Sequence, residues 1–195
     1  MINNAVKQAQ EKGEVSGEQL AQTIEDVSTQ AHIESPEVPK YIAALRTMSH
    51  DAAIGELPEG VGGQFDGSIT IASSTMEVSS GGVSETIAQM QEVYDHELYH
   101  ALHHHTDAMM TYEGSTNVII AGEGFTTTEL VEGLTVAKTG EKFVSDEYKS
   151  YKARLLQCID KADLTLGDIE KAVDTQKLVA VDDRAAEEEE LVLAA

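Results

Sequence analysis

Residues 83–104 read VSETIAQMQEVYDHELYHALHH. At about 100° per position, Val83, Ile87, Met90, Tyr94, Leu98 and Ala101 fall on one stripe, which predicts a helix with a core face. His96, His100 and His104 fall together roughly a third of a turn away. One side of this helix therefore packs while its neighbouring side is left to line a cleft. Within the stretch, His96-Glu97-Leu98-Tyr99-His100 matches the pattern H-E-x-x-H. Side chains four apart on a helix lie one above the other, so His96 and His100 aim two imidazoles at one point. Neutral imidazole nitrogens suit Zn²⁺ in tetrahedral geometry. Glu97 lies between them and is placed to act on water at such a metal as a general base. The plain alternative is a pair of exposed helix histidines with a solvated carboxylate.

Two histidines do not complete a catalytic zinc site, which takes three protein ligands and leaves one position open. A histidine ten positions after His96 would be the extended pattern H-E-x-x-H-x-x-G-x-x-H. That position is Thr106 and the expected glycine is His103, so the extended pattern is absent. The other common solution is a glutamate from a following helix, and Glu129-Leu130-Val131-Glu132-Gly133-Leu134-Thr135 offers two. Thr126 with Glu129 forms a capping-box pattern, which gives Glu129 a local task at the helix start. Glu132 lies one turn in and 32 positions after His100, room enough for a loop and a returning helix. Glu132 is the expected third ligand and Glu129 the reserve. Gly133 costs helix stability, about 1 kcal/mol against Ala, and we read it as a mark of close approach to the motif helix.

Lys and Arg total 13 against 35 Asp and Glu, a formal charge of −22 over 195 residues. Phosphate binding needs a basic face, so nucleic acid is not an expected partner. The same sign disfavours anionic membrane surfaces. A solvated surface explains the charge, and adaptation to high salt is a second explanation. The single cysteine, Cys158, rules out an intrachain disulfide and reads as a small buried hydrophobe on a helical stripe. The N-terminus lacks the apolar core of a signal peptide and no run reaches spanning length, which points to a cytoplasmic, soluble protein.

Along the rest of the chain, Asn4–Glu11 reads as a weak, fraying helix. Ser16 and Gln19 form a capping box for a helix to about Gln30, with Leu20, Ile24 and Val27 as its apolar stripe. Ser35-Pro36 starts another, carrying Tyr41, Ile42, Leu45 and Met48. Leu57–Gly63 is a Gly/Pro loop, Asp66-Gly67 a hairpin-type turn, and Ser68–Ser73 a β-branched strand. Val118-Ile119-Ile120 reads as a short strand or a buried turn. The helix begun at Thr126 stops at Gly140. Ser145 caps a helix with Tyr148, Tyr151, Leu155, Cys158, Ile159 and Ala162 at helical spacing, and Thr165 starts a short helix with Leu166, Ile169 and Val173. Leu178–Val181 reads as a last strand. The expected organisation is one domain over residues 1–183, followed by an acidic tail, 184–195. Its parts are N-terminal helices to 60, a hairpin or edge strand over 61–82, the motif helix over 83–106, the glutamate helix over 126–139 and C-terminal helices over 145–175.

HELYH, followed by ELVEGLTVAKTG and a tyrosine-bearing helix, resembles the gluzincin branch of the zincin metallopeptidases, and within it the small minigluzincins. The resemblance covers about Ser68–Ile159. It implies an α+β fold, mostly helical, with a small sheet whose edge strand borders the active-site cleft. That strand would match Ser68–Ser73 and take an extended peptide or protein substrate by strand addition. It also implies a Zn²⁺ hydrolase in which His96, His100 and Glu132 hold the metal and Glu97 is the base. Tyr148 and His104 are candidate donors to the oxyanion. Many gluzincins place an aspartate four residues after the ligand glutamate; here that position is Val136, so Asp107 or a backbone carbonyl would orient the ligand histidines. The alternative is a zinc-binding protein without catalysis, in a regulatory or scaffold role, or a latent form plugged by its own Glu187–Glu190 tail.

Overall fold

In the computed structural model, residues 1–11, 13–48, 52–103 and 117–174 are described. The fold is mixed α and β: helices dominate and the sheets are small. The chain divides into two compact units, Met1–Leu98 and Tyr99–Ala195. The division falls inside the motif helix.

In the first unit, helix α1 spans Ile2–Gln10 and buries Ile2, Ala5, Val6 and Ala9. This i, i+3, i+4, i+7 stripe packs α1 against the second helix, so the helix is docked rather than frayed as its polar residues suggested. The Asn3 side chain adds two bonds to the Val78 backbone, accepting from its N–H at 2.8 Å and donating to its carbonyl at 3.3 Å. Strand β1 (Val15–Ser16) leads into helix α2 (Gly17–Gln30). Ser16 and Gln19 cap α2 reciprocally, as the spacing predicts. Helix α3 (Glu37–Met48) packs along α2 and buries Val38, Tyr41, Ile42, Leu45 and Met48. Tyr41 donates its hydroxyl to the Met76 carbonyl, which satisfies the polar end of a fully buried ring.

The sheet of this unit has four strands in the order β1-β2-β4-β3, where β2 is Ala52–Gly55, β3 Gly63–Phe65 and β4 Ile69–Ala72. Strand β4 runs parallel to β2 and antiparallel to β3, with the Asp66-Gly67 turn between β3 and β4. The strand expected at the edge, Ser68–Ser73, is therefore interior. Ile69 and Ile71 are buried, and both ladders of β4 are occupied. The free edge on that side belongs to β3, the first arm of the hairpin that turns at Asp66-Gly67.

Helix α4 spans Val83–Leu102. Val83, Thr86, Met90, Tyr94, His96, Glu97 and His100 are buried along it, whereas Ile87, Leu98 and Ala101 of the expected stripe are half-buried. Residues 104–106, expected at its end, lie outside the described residues, as do His104, Asp107, Leu178–Val181 and the tail 184–195.

In the second unit, strands β5 (Asn117–Ile120) and β6 (Glu123–Thr126) form a hairpin. Its two-residue turn is Ala121-Gly122, both at positive φ, the geometry that matches the twist of paired strands. Thr126 ends β6 and at once caps helix α5 (Thr127–Thr139), whose other end is closed by Gly140 at φ 74. Helix α6 (Asp146–Ala162) is capped by Ser145, and α7 (Leu166–Asp174) by Thr165 with Asp168. Val118, Ile120, Phe125, Leu130, Val131, Leu134, Leu155, Cys158, Ile159, Ile169 and Val173 form one core among these elements. No described helix is long and apolar enough to cross a membrane.

Gly133 marks a close approach, but not to the motif helix. A Cβ built there would lie 3.0 Å from the Tyr151 carbonyl carbon, 3.1 Å from its oxygen and 3.3 Å from the Lys152 nitrogen. The neighbour is the backbone of α6, which has no flexible end to swing aside. Gly133→Ala should gain about 1 kcal/mol of helix propensity and lose about 1–3 kcal/mol to overpacking. The expected net is destabilisation in denaturant unfolding. Stabilisation would mean α5 and α6 do not lie this close.

Candidate metal centre

The last two turns of α4 carry His96, Glu97 and His100. Helix α5, fixed at its start by the Thr126 cap and held against α6 across Gly133, carries Glu132. All four side chains are buried: His96 and Glu97 are 7% exposed, His100 and Glu132 6%. His96, His100 and Glu132 each offer one ligand atom such that all three atoms lie within 4.8 Å of one another. His100 Nε2 is 3.4 Å from Glu132 Oε2.

That separation bears on what the group could hold. Two ligand atoms at the ~2.0–2.1 Å Zn–N and Zn–O distances, at the tetrahedral angle, are about 3.4 Å apart. It is longer than the 2.7–2.9 Å or so of a strong charge-assisted hydrogen bond. Burying carboxylates beside imidazoles is unfavourable unless a compensating charge or hydrogen bonds are present. The donor set, two nitrogens and one carboxylate oxygen, also suits a borderline divalent cation. These residues therefore fit a metal ion.

Glu129, the reserve ligand, is committed elsewhere. Its Oε2 accepts from the Thr126 backbone N–H at 2.9 Å, completing the capping box, and its Oε1 accepts from Arg154 at 2.9 Å. Arg154 also donates to the Gly124 carbonyl at 2.7 Å and stacks over the Phe125 ring at 4.7 Å. This carboxylate holds the start of α5, and so the helix that presents Glu132, in place. Val136, where many gluzincins have aspartate, is buried and apolar.

Tyr148 lies in the first turn of α6, half-buried, with its ring 5.9 Å from that of Tyr151. Tyr151 donates to Glu147 at 2.5 Å. Its pKa is pushed up to about 12, first by that bond, next by burial, then by the negative charges of Glu147, Glu129 and Glu132.

Two features escaped the sequence. One is a polar cluster at the end of α4. Tyr99 donates its hydroxyl to Glu170 Oε1 at 2.5 Å, Lys138 donates to Glu170 Oε2 at 2.7 Å, and the His103 ring stacks on Tyr99 at 4.3 Å. His103 Nε2 is also 3.7 Å from Glu170 Oε1. Burial pushes the Glu170 carboxyl up, but the bonds from Lys138 and Tyr99 and the Lys138 and His103 charges hold it below the usual range. The cluster ties the last turn of α4, which bears His100, to α5 and α7. The other is Gly63 on β3, where an added Cβ would lie 2.8 Å from Glu97 Cγ and 2.9 Å from Glu97 Oε1. Nothing local in the sequence signals either, because both depend on which elements meet.

Comparison with protein families, with characterised proteins and with solved structures finds no match to this chain.

The two glutamates of α5 separate cleanly. Glu132→Ala should lower zinc affinity by more than the ~10–100-fold typical of losing an outer-shell partner. Glu129→Ala should leave the zinc stoichiometry unchanged and cost about 1 kcal/mol of stability through the lost cap. Metal analysis and competition with a chelator measure the first, and thermal unfolding the second. The reverse pattern would exchange their roles.

Proposed function

We propose that this protein is a zinc-dependent metallopeptidase of the gluzincin type, acting on a peptide or protein substrate. The observation that carries the proposal is the burial of Glu97 on the same turns of α4 as the two imidazoles that group with Glu132. A general base needs a carboxylate carried close to the ligands and away from bulk water, and burial of Glu97 next to His96 supports that role.

His96, His100 and Glu132 would hold the ion. When bound, the ion supplies Lewis acidity, which polarises a carbonyl and makes water nucleophilic near neutral pH. Glu97 is the general base. It removes a proton from the water that adds to the scissile carbonyl carbon, and it delivers that proton to the amide nitrogen as the C–N bond breaks. The products are a carboxylic acid and an amine, and Glu97 returns to its starting state. The base sits at a fixed offset from the ligands because Glu97 immediately follows His96 on a regular helix. The Glu170 cluster keeps the last turn of that helix from unwinding. Tyr148 is the candidate donor to the oxyanion, from the start of α6.

Glu97→Gln keeps the size and burial of the side chain and removes its basicity. The expected result is full zinc content with hydrolysis of an unfolded protein or a quenched peptide library reduced by ~10²–10⁴-fold or more. Wild-type turnover in the zinc-loaded variant would refute the base assignment. Absence of cleavage by zinc-loaded wild type across the library would refute the peptidase proposal.

A further inference from the structure

We propose that Gly63 is the positioning residue for the Glu97 carboxylate, a role that rests on Glu97 being the base. Gly63, Val93 and Glu97 all belong to the first unit. Gly63 opens β3, the edge strand, and pairs with Ile71 of β4. A Cβ at this position would stand 2.7 Å from Val93 Cγ1, 2.8 Å from Glu97 Cγ and 2.9 Å from Glu97 Oε1. Van der Waals contact between such atoms begins near ~3.5 Å. The strand backbone therefore lies directly on Val93 and Glu97, and a side chain at position 63 must displace one or both.

The strand is not free to yield. The preceding carbonyl, that of Gly62, accepts from the Ala72 N–H at 2.8 Å and from the Thr75 hydroxyl at 3.2 Å. Thr75 is itself buried. A Cβ on Gly62 would be 3.3 Å from Val93 Cγ2, so both glycines of the pair lie against the same turn of α4. Thr75 and Ala72 pin Gly62, Gly62 fixes Gly63, and Gly63 forms one wall around Glu97. Val93, one turn before Glu97 on α4, forms another.

This arrangement predicts a separation of effects. The group that gives way most easily to a methyl at 63 is the flexible Glu97 side chain, so the fold and the metal ligands are spared while the base moves. A base displaced by about 1 Å costs on the order of 10²-fold in rate. A residue with only a packing role would instead change stability and leave turnover per folded molecule intact.

The experiment uses full-length Gly63→Ala and Val93→Ala, zinc-loaded, beside wild type. For Gly63→Ala the expected results are one zinc per chain and kcat lowered about 10²-fold with KM within a few-fold. Its crystal structure should show the Glu97 carboxylate moved by about 1 Å with His96 and His100 in place. Val93→Ala removes one wall without adding an atom and should lower kcat by about tenfold with zinc retained; it carries the test if Gly63→Ala fails to fold. Unchanged kcat in either folded variant, or a Glu97 carboxylate unmoved in Gly63→Ala, overturns the proposal. Inactive wild type would instead defeat the peptidase proposal, and the crystallographic comparison would still decide whether Gly63 sets the position of Glu97.

Discussion

Taking an ionised carboxylate out of water costs several kcal/mol unless an opposite charge or good hydrogen bonds replace the lost solvent. Helix α4 buries the carboxyl group of Glu97, and helix α5 buries that of Glu132. We propose that a divalent cation among these groups supplies an opposite charge. In this account the positions of α4 and α5 follow from the need to bring three ligand atoms to one point with a fourth buried group beside them.

Much of the second unit serves to place Glu132. The hairpin β5–β6 runs without a loop into α5 because Thr126 is both the end of a strand and the cap of a helix. Glu129 and Arg154 fasten that cap to α6. Gly133, next to Glu132, lets the α5 and α6 backbones approach more closely than a side chain there would comfortably allow. Tyr99, Lys138 and Glu170 then tie the turn bearing His100 into the same set of helices. In the first unit, the edge strand β3 plays the corresponding part for Glu97 through Gly63.

The pairing of His96 with His100 was legible in the sequence because i, i+4 geometry is local: a helix at residues 83–102 is enough to juxtapose the two side chains. Glu132 could be preferred over Glu129 for a reason also local, since a capping box consumes the residue at its third position. What could not be read depends on tertiary contact. Gly133 announced a close approach but not its partner, which is α6 rather than α4. Strands of two to four residues, such as β1, β2 and β3, carry too few positions for alternation to register, so the edge was assigned to the more apolar β4. Helix α1 reads as fraying because its apolar stripe, Ile2, Ala5, Val6 and Ala9, is short and half alanine, and its docking depends on a partner helix. Glu170 and Gly63 give no signal at all until the chain has folded.

We propose that His96, His100 and Glu132 together bind one metal ion. This is tested most directly by an anomalous difference map from crystals of the zinc-loaded full-length protein, measured at the zinc edge. The account predicts one strong peak per chain, about 2.0–2.2 Å from an imidazole nitrogen of His96, one of His100 and a carboxylate oxygen of Glu132. A map without a peak there, or with zinc seated instead on the His103-His104-His105 run, would contradict it.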